Sequence, residues 1–173
     1  STPPAQTVID ASLSEYDAYY EALESLCREK QQQHGTFVVL DLHSYNHRRD
    51  GPSGPEADPA GNPEVNIGTG TMDRTRWGPL VDRFIDDLRT FDFRGRHLDV
   101  RENIKFVGRG FPRFVHEHFP ETGCAVAIEF KKFFMDEWTG DPDYSIINSI
   151  NRALKSTIPG VVEELSRKKN NHE

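Results

Sequence analysis

Apolar residues fall along the chain in two rhythms, one for helices and one for strands. Leu13, Tyr16, Tyr20, Leu23 and Cys27 recur at helical spacing, and Ser12 with Glu15 forms a capping-box pair ahead of them. This predicts a helix from about residue 12 to residues 32–35. Before it, the polar residues 1–10, with Pro3 and Pro4, read as a flexible segment. Residues 36–42 then form a short, β-branched apolar run after Gly35, the mark of a buried, parallel-type strand. Residues 44–63 are rich in Pro, Gly and Asp and predict a long loop of the kind that often carries function. A short strand is expected at 65–69. Leu80, Val81, Phe84, Ile85 and Leu88 mark an amphipathic helix over 77–91. Further strands are predicted at 98–107 and 125–130, with a short helix or turn at 111–119. Ile147, Ile150, Leu154, Ile158, Val161 and Leu165 trace a last helix, which Pro159 should kink or split. Residues 168–173 read as a solvated tail.

Helices alternating with strands point to an α/β protein, a sandwich around a mixed sheet. The 173 residues suit one domain. A net charge of −7 disfavours general nucleic-acid binding, which needs a basic face. No stretch is long and apolar enough for a membrane helix, so no membrane partner is expected. Cys27 and Cys124 are far apart and form no CxxC pair, which argues against a disulfide framework and suits a reducing cytoplasm.

Four groups of residues have the chemistry for a site. The first is Asp41-Leu42-His43-Ser44, at the carboxyl end of a predicted strand, where open α/β sheets bind ligands. Imidazole is the commonest protein ligand for zinc, and Asp41, two residues earlier, shares the strand face and is placed to orient the ring. A hydrogen-bonded histidine with no metal role has the same pattern. The second is Glu129, which closes the run Ala125-Val126-Ala127-Ile128. Low dielectric there would raise its pKa toward that of a general base, while an ion pair with Lys131 at i+2 is the structural alternative. The third is the set Arg48, Arg49, Arg109 and Arg113, whose guanidinium forks suit a carboxylate substrate. The fourth is Asn66-Ile67-Gly68-Thr69-Gly70-Thr71, either a turn or a loop offering backbone amides to an anion. It lacks the lysine and spacing of a phosphate loop. His116 and His118 share a face only if their segment is extended.

Taken in order, these segments resemble the N-formylglutamate amidohydrolase family. Residues 38–49, Val-Val-Leu-Asp-Leu-His-Ser-Tyr-Asn-His-Arg-Arg, are similar to that family's strand ending in Asp-x-His-Ser. Residues 63–69 resemble the glycine-containing strand that follows. Residues 110–119 and 122–129 resemble a glycine-rich segment leading to a strand with a glutamate, and Phe134-Met135-Asp136-Glu137 matches the stretch after it. The resemblance covers about residues 36–140. It implies a zinc-carboxypeptidase-like fold, a three-layer α/β/α sandwich with a mixed, mostly parallel sheet. It implies hydrolysis of a linear amide in a small acidic substrate, with N-formylglutamate giving formate and glutamate. His43 would then be a zinc ligand, Asp41 its orienting partner and Glu129 the catalytic base or acid, with Arg48, Arg49, Asn66 and Arg113 at the substrate.

One departure stands out. The architecture takes a further His and Glu ligand from a segment before the first helix, and residues 1–35 contain no such pair. The chain also begins without methionine. The expectation is therefore the C-terminal part of such a domain, with an incomplete zinc site. The competing expectation is a non-catalytic module of the same fold that binds small acidic molecules.

Overall fold

The computed structural model describes residues 3–170. The elements run α1 (Gln6–His34), β1 (Phe37–Tyr45), a 3-10 turn (Pro59–Gly61), β2 (Val65–Gly68), α2 (Arg74–Thr90), β3 (Val100–Glu102), α3 (Phe111–His118), β4 (Gly123–Lys131) and α4 (Tyr144–Asn170). The chain divides into two compact units, residues 1–37 and 38–173.

The first unit is essentially α1. It starts at Gln6, six residues before the predicted capping box, with Ala5 at the N-cap and no side-chain cap. Pro3 and Pro4 therefore precede a helix rather than belong to a ten-residue flexible segment. The expected stripe is present, and Tyr16 and Tyr20 pack with ring centroids 4.5 Å apart. Leu13, Tyr16 and Tyr19 are nevertheless more than half exposed. Gly35, at φ 80°, ends the helix in a conformation that favours glycine.

The second unit holds one mixed sheet in the order β1-β4-β2-β3. β2 runs parallel to β3, with Val65 opposite Val100, and antiparallel to β4, with Asn66 opposite Glu129 and Ile67 opposite Ile128. Strand side chains alternate between faces, so this register sorts the residues. Val65, Ile67, Cys124, Val126, Ile128 and Phe130 join the main core with Trp77, Leu80, Phe84 and Leu88 of α2 and Ala153 and Val161 of α4. The Cys124 thiol is fully buried, and burial pushes its pKa up to about 12. The other face carries Asn66, Ala125, Ala127, Glu129 and Lys131, and α3 packs against β4. The result is an α/β sandwich around a single mixed sheet.

Local chemistry explains the element limits that the sequence pattern misplaced. α2 starts at Arg74 because the Asp73 carboxylate caps it, accepting from Thr75 N at 2.9 Å and Arg76 N at 3.1 Å. The strand expected at 98–107 stops at Glu102. Asn103 follows with φ 54°, a left-handed conformation that ends extended pairing. Pro159 does not split α4, which is helical from Tyr144 to Asn170. At the next residue, a Cβ on Gly160 would come within 2.2 Å of Asp87 Oδ2, so glycine lets α2 and α4 cross closely there. The expected tail thus begins inside α4, where Lys168 Nζ donates to Arg76 O. Residues 171–173 of that tail lie outside the described residues.

Candidate active site

Asp41, His43 and Tyr45 alternate along β1 and share one face of the sheet. His43 Nε2 lies 3.0 Å from Asp41 Oδ1, so the expected carboxylate–imidazole pair is formed. Asp41 is largely covered, at 17% side-chain exposure, while His43 is half-exposed at 52%. The ring therefore opens to solvent while its partner anchors it. Tyr45 beyond them is buried, its hydroxyl donating to Pro63 O. Burial first, and nearby carboxylates including Glu129, push its pKa up to about 12, so it stays a neutral phenol.

Glu129 stands on β4, the strand next to β1 in the sheet. It lies two residues before the end of β4, as His43 does in β1. Burial holds its carboxyl above the ordinary carboxylate range; His43 pulls it down and Asp41 pushes it up. The electrostatic coupling brings Asp41, His43 and Glu129 into one neighbourhood. The alternative pairing with Lys131 is not among the ion pairs of the described residues. Glu129 makes no hydrogen bond or ion pair among them, so its lone pairs are available.

The other predicted residues divide. Asn66 is fully buried and is not at a substrate surface. Its Oδ1 accepts from Ile104 N at 3.0 Å and Lys105 N at 2.8 Å, and its Nδ2 donates to Phe106 O at 2.7 Å. It staples the 103–110 segment across the end of β2. That crossing needs two glycines. A Cβ on Gly68 would lie 2.5 Å from Gly108 N, and one on Gly108, at φ 74°, would lie 3.0 Å from Gly68 O. The same crossing decides between the turn and the anion loop, in favour of the turn: Thr69 N donates to Asn103 Oδ1 at 2.9 Å and Gly70 N to Val107 O at 2.6 Å. Those amides are already bonded within the fold.

Arg48 is likewise committed to its own loop, donating to Gly54 O at 3.0 Å and to Glu56 at 2.7 Å. Arg49 and Arg113 are exposed and make no ion pair among the described residues. Arg49 lines a cavity of about 470 Å³ with Ser44, Tyr45, Asn46, Arg48 and Trp138, next along the chain from His43. His116 has a structural task. Its Nε2 accepts from Ala125 N at 3.1 Å, which requires the other nitrogen, 3.0 Å from Thr71 Oγ1, to carry the proton. Burial holds the ring's pKa low, consistent with this neutral form.

Sequence reasoning missed Glu137. Its side chain is only 2% exposed and accepts from the backbone amides of His47 and Arg48, fixing the turn after β1. The clue available was position, since Asp136-Glu137 closes a segment already matched, yet a buried acceptor of backbone amides has no pattern of its own.

Fit to a metal is a matter of donor number. A catalytic zinc takes three protein ligands. Among the described residues, no group of three or more His, Cys, Asp or Glu is arranged to hold a metal ion. These residues do not make a zinc centre by themselves. Nor is any described helix long and apolar enough to cross a membrane.

Fold and site together define a hydrolase-like α/β sandwich with a carboxylate–imidazole pair and an unpartnered glutamate near its strand ends. The family model for N-formylglutamate amidohydrolase matches residues 4–135, and the chain belongs to that family. Among solved structures it is similar to N-formylglutamate amidohydrolase from Ralstonia eutropha JMP134, at 18% identity and a TM-score of 0.62. The likeness covers 88% of this chain and 52% of that one, so this chain spans about half of that protein's length. At this identity the likeness speaks for the fold alone. No curated protein matches the sequence.

Proposed function

We propose that this chain carries the water-activating part of a site that hydrolyses a linear amide in a small acidic substrate, with N-formylglutamate as the reference compound. The observation that carries the reading is Glu129: a half-buried carboxylate with raised pKa, no partner among the described residues, and the Asp41–His43 pair beside it. In the reaction, Glu129 takes a proton from water as the oxygen adds to the formyl carbon. The C–N bond then breaks, and the proton passes from Glu129 to the leaving nitrogen, giving formate and glutamate. Arg49 and Arg113 are two exposed arginines, without an ion pair among the described residues, that are available to the substrate's carboxylates. Zinc at His43 would need two further protein ligands that the described residues do not supply.

The test is formate release from N-formylglutamate, measured after incubation with zinc. Glu129→Gln should lower the rate about 10²–10⁴-fold, the usual contribution of general acid–base catalysis. Wild-type turnover in that variant would refute the assignment. The lack of a three-donor group favours a second reading, a module of this fold that binds acidic amides without turnover. Saturable binding of N-formylglutamate with no formate released would select it.

A further inference from the structure

A second cavity of about 470 Å³ lies between the loop after β1 and the segment after β4. This volume is within the range of about 300–1,000 Å³ typical of small-molecule sites. Phe133, Met135 and Trp138 supply apolar and aromatic wall. Most charged groups around it are already matched. Glu137 accepts the amides of His47 and Arg48, and Arg48 is held by Gly54 and Glu56. The Asp136 carboxylate accepts from Trp138 N at 2.8 Å and Thr139 N at 3.0 Å.

One charged group in the wall remains unmatched. Lys132 is half-buried, and its ammonium makes no hydrogen bond or ion pair among the described residues. His47 is only 5% exposed, and its Nδ1 is buried without a hydrogen bond. The nearest carboxylate oxygen, Glu137 Oε1 at 3.5 Å, already serves the backbone. That nitrogen is closed to the cavity, so Lys132 is the group that a ligand's charge would answer. The cavity shares Arg48 and Trp138 with the one beside His43, so the two are contiguous.

We propose that this cavity is a binding subsite for a planar apolar group bearing one carboxylate, which lies against Phe133 and Trp138 and places its carboxylate on Lys132. If the neighbouring strand ends are the hydrolytic site, as proposed above, the natural ligand is an amide of an aromatic amino acid rather than of glutamate alone. The binding itself does not depend on that reading.

The probe is phenylacetate, titrated by calorimetry and by tryptophan fluorescence against the full chain carrying Glu129→Gln, so that turnover plays no part. Trp138 is 51% exposed and Trp77 1%, so a ligand in the cavity changes the emission and acrylamide quenching of Trp138 alone. Saturable binding is expected, weakened about tenfold or more by Lys132→Met and again by Trp138→Ala, while Lys155→Ala, at an exposed position of α4, binds as the parent does. Thermal melts of each variant identify any that fails to fold, in which case Lys132→Gln and Trp138→Leu replace it. No saturable binding, or binding unchanged in both cavity variants, would overturn the proposal. A separate comparison of N-formylphenylalanine with N-formylglutamate as substrates tests the hydrolytic reading and leaves the phenylacetate result intact.

Discussion

Ile128 and Glu129 are consecutive on β4 and face opposite sides of the sheet. The Ile128 side is closed: its strand residues join one apolar cluster with residues of α2 and α4. The Glu129 side holds Asp41, His43, Glu129 and Lys131, together with a crossing segment held by the Asn66 amide. One face stores stability in packed apolar area. The other keeps a carboxylate only partly covered and, among the described residues, unpartnered, which costs stability and makes it the candidate for chemistry. The same strand thus serves both ends, with a pleat between them.

The sharpest way to break this contrast is to change the two neighbours separately. Glu129→Gln should abolish amide hydrolysis by the factor given above without lowering stability. The sign follows from its raised pKa: burying the ionised form opposes folding, so the native carboxyl's contribution is fully present below the ordinary carboxylate range and is lost as pH rises through the raised value. Glu129→Gln should therefore match wild type at low pH and gain on it toward pH 8, as read by denaturant midpoints. Ile128→Ala should do the reverse, destabilising by about 2–5 kcal/mol in urea unfolding while the folded fraction keeps its specific activity.

Asn66→Ala tests the staple between the faces. Losing its amide leaves backbone groups at 104–106 without partners, a cost of about 1–3 kcal/mol. Hydrogen exchange at Ile104 and Lys105 should accelerate while the amides of α2 stay protected. A smaller effect is a shift of the activity profile. Glu129 must be ionised to act, so activity falls as pH drops through its raised pKa, above the ordinary carboxylate range. Asp41→Asn removes a charge that raises that pKa, and the acid limb of kcat/KM should move to lower pH. Smallest of all, Arg113→Ala should raise KM a few-fold with kcat unchanged, since an exposed arginine would bind the substrate and its transition state alike.

The closed face was the more legible in the sequence. The stripe of α2 repeats at helical spacing, and β1 and β4 read as short unbroken apolar runs, the two patterns that burial imposes on a sequence. On the polar face, the positions of Asp41, His43 and Glu129 could be read because strand ends are defined by where apolar runs stop. Asn66 and Arg48 could not be placed. An amide or guanidinium is equally able to bind substrate or backbone, and only the path of residues 103–108 and 54–56 decides between them. The early start of α1 escaped for a simpler reason: Ala5 caps it without a side-chain signal.

The buried thiol of Cys124 has a use beyond packing. A sulfur attacks an alkylating reagent as thiolate, and a fully covered group with a pKa near 12 offers almost none at neutral pH. It reacts only in the moments when the sheet parts from α2 and α4. In a Cys27→Ser background, the rate of iodoacetamide labelling therefore counts how often the closed face opens, which no probe on the polar side would register.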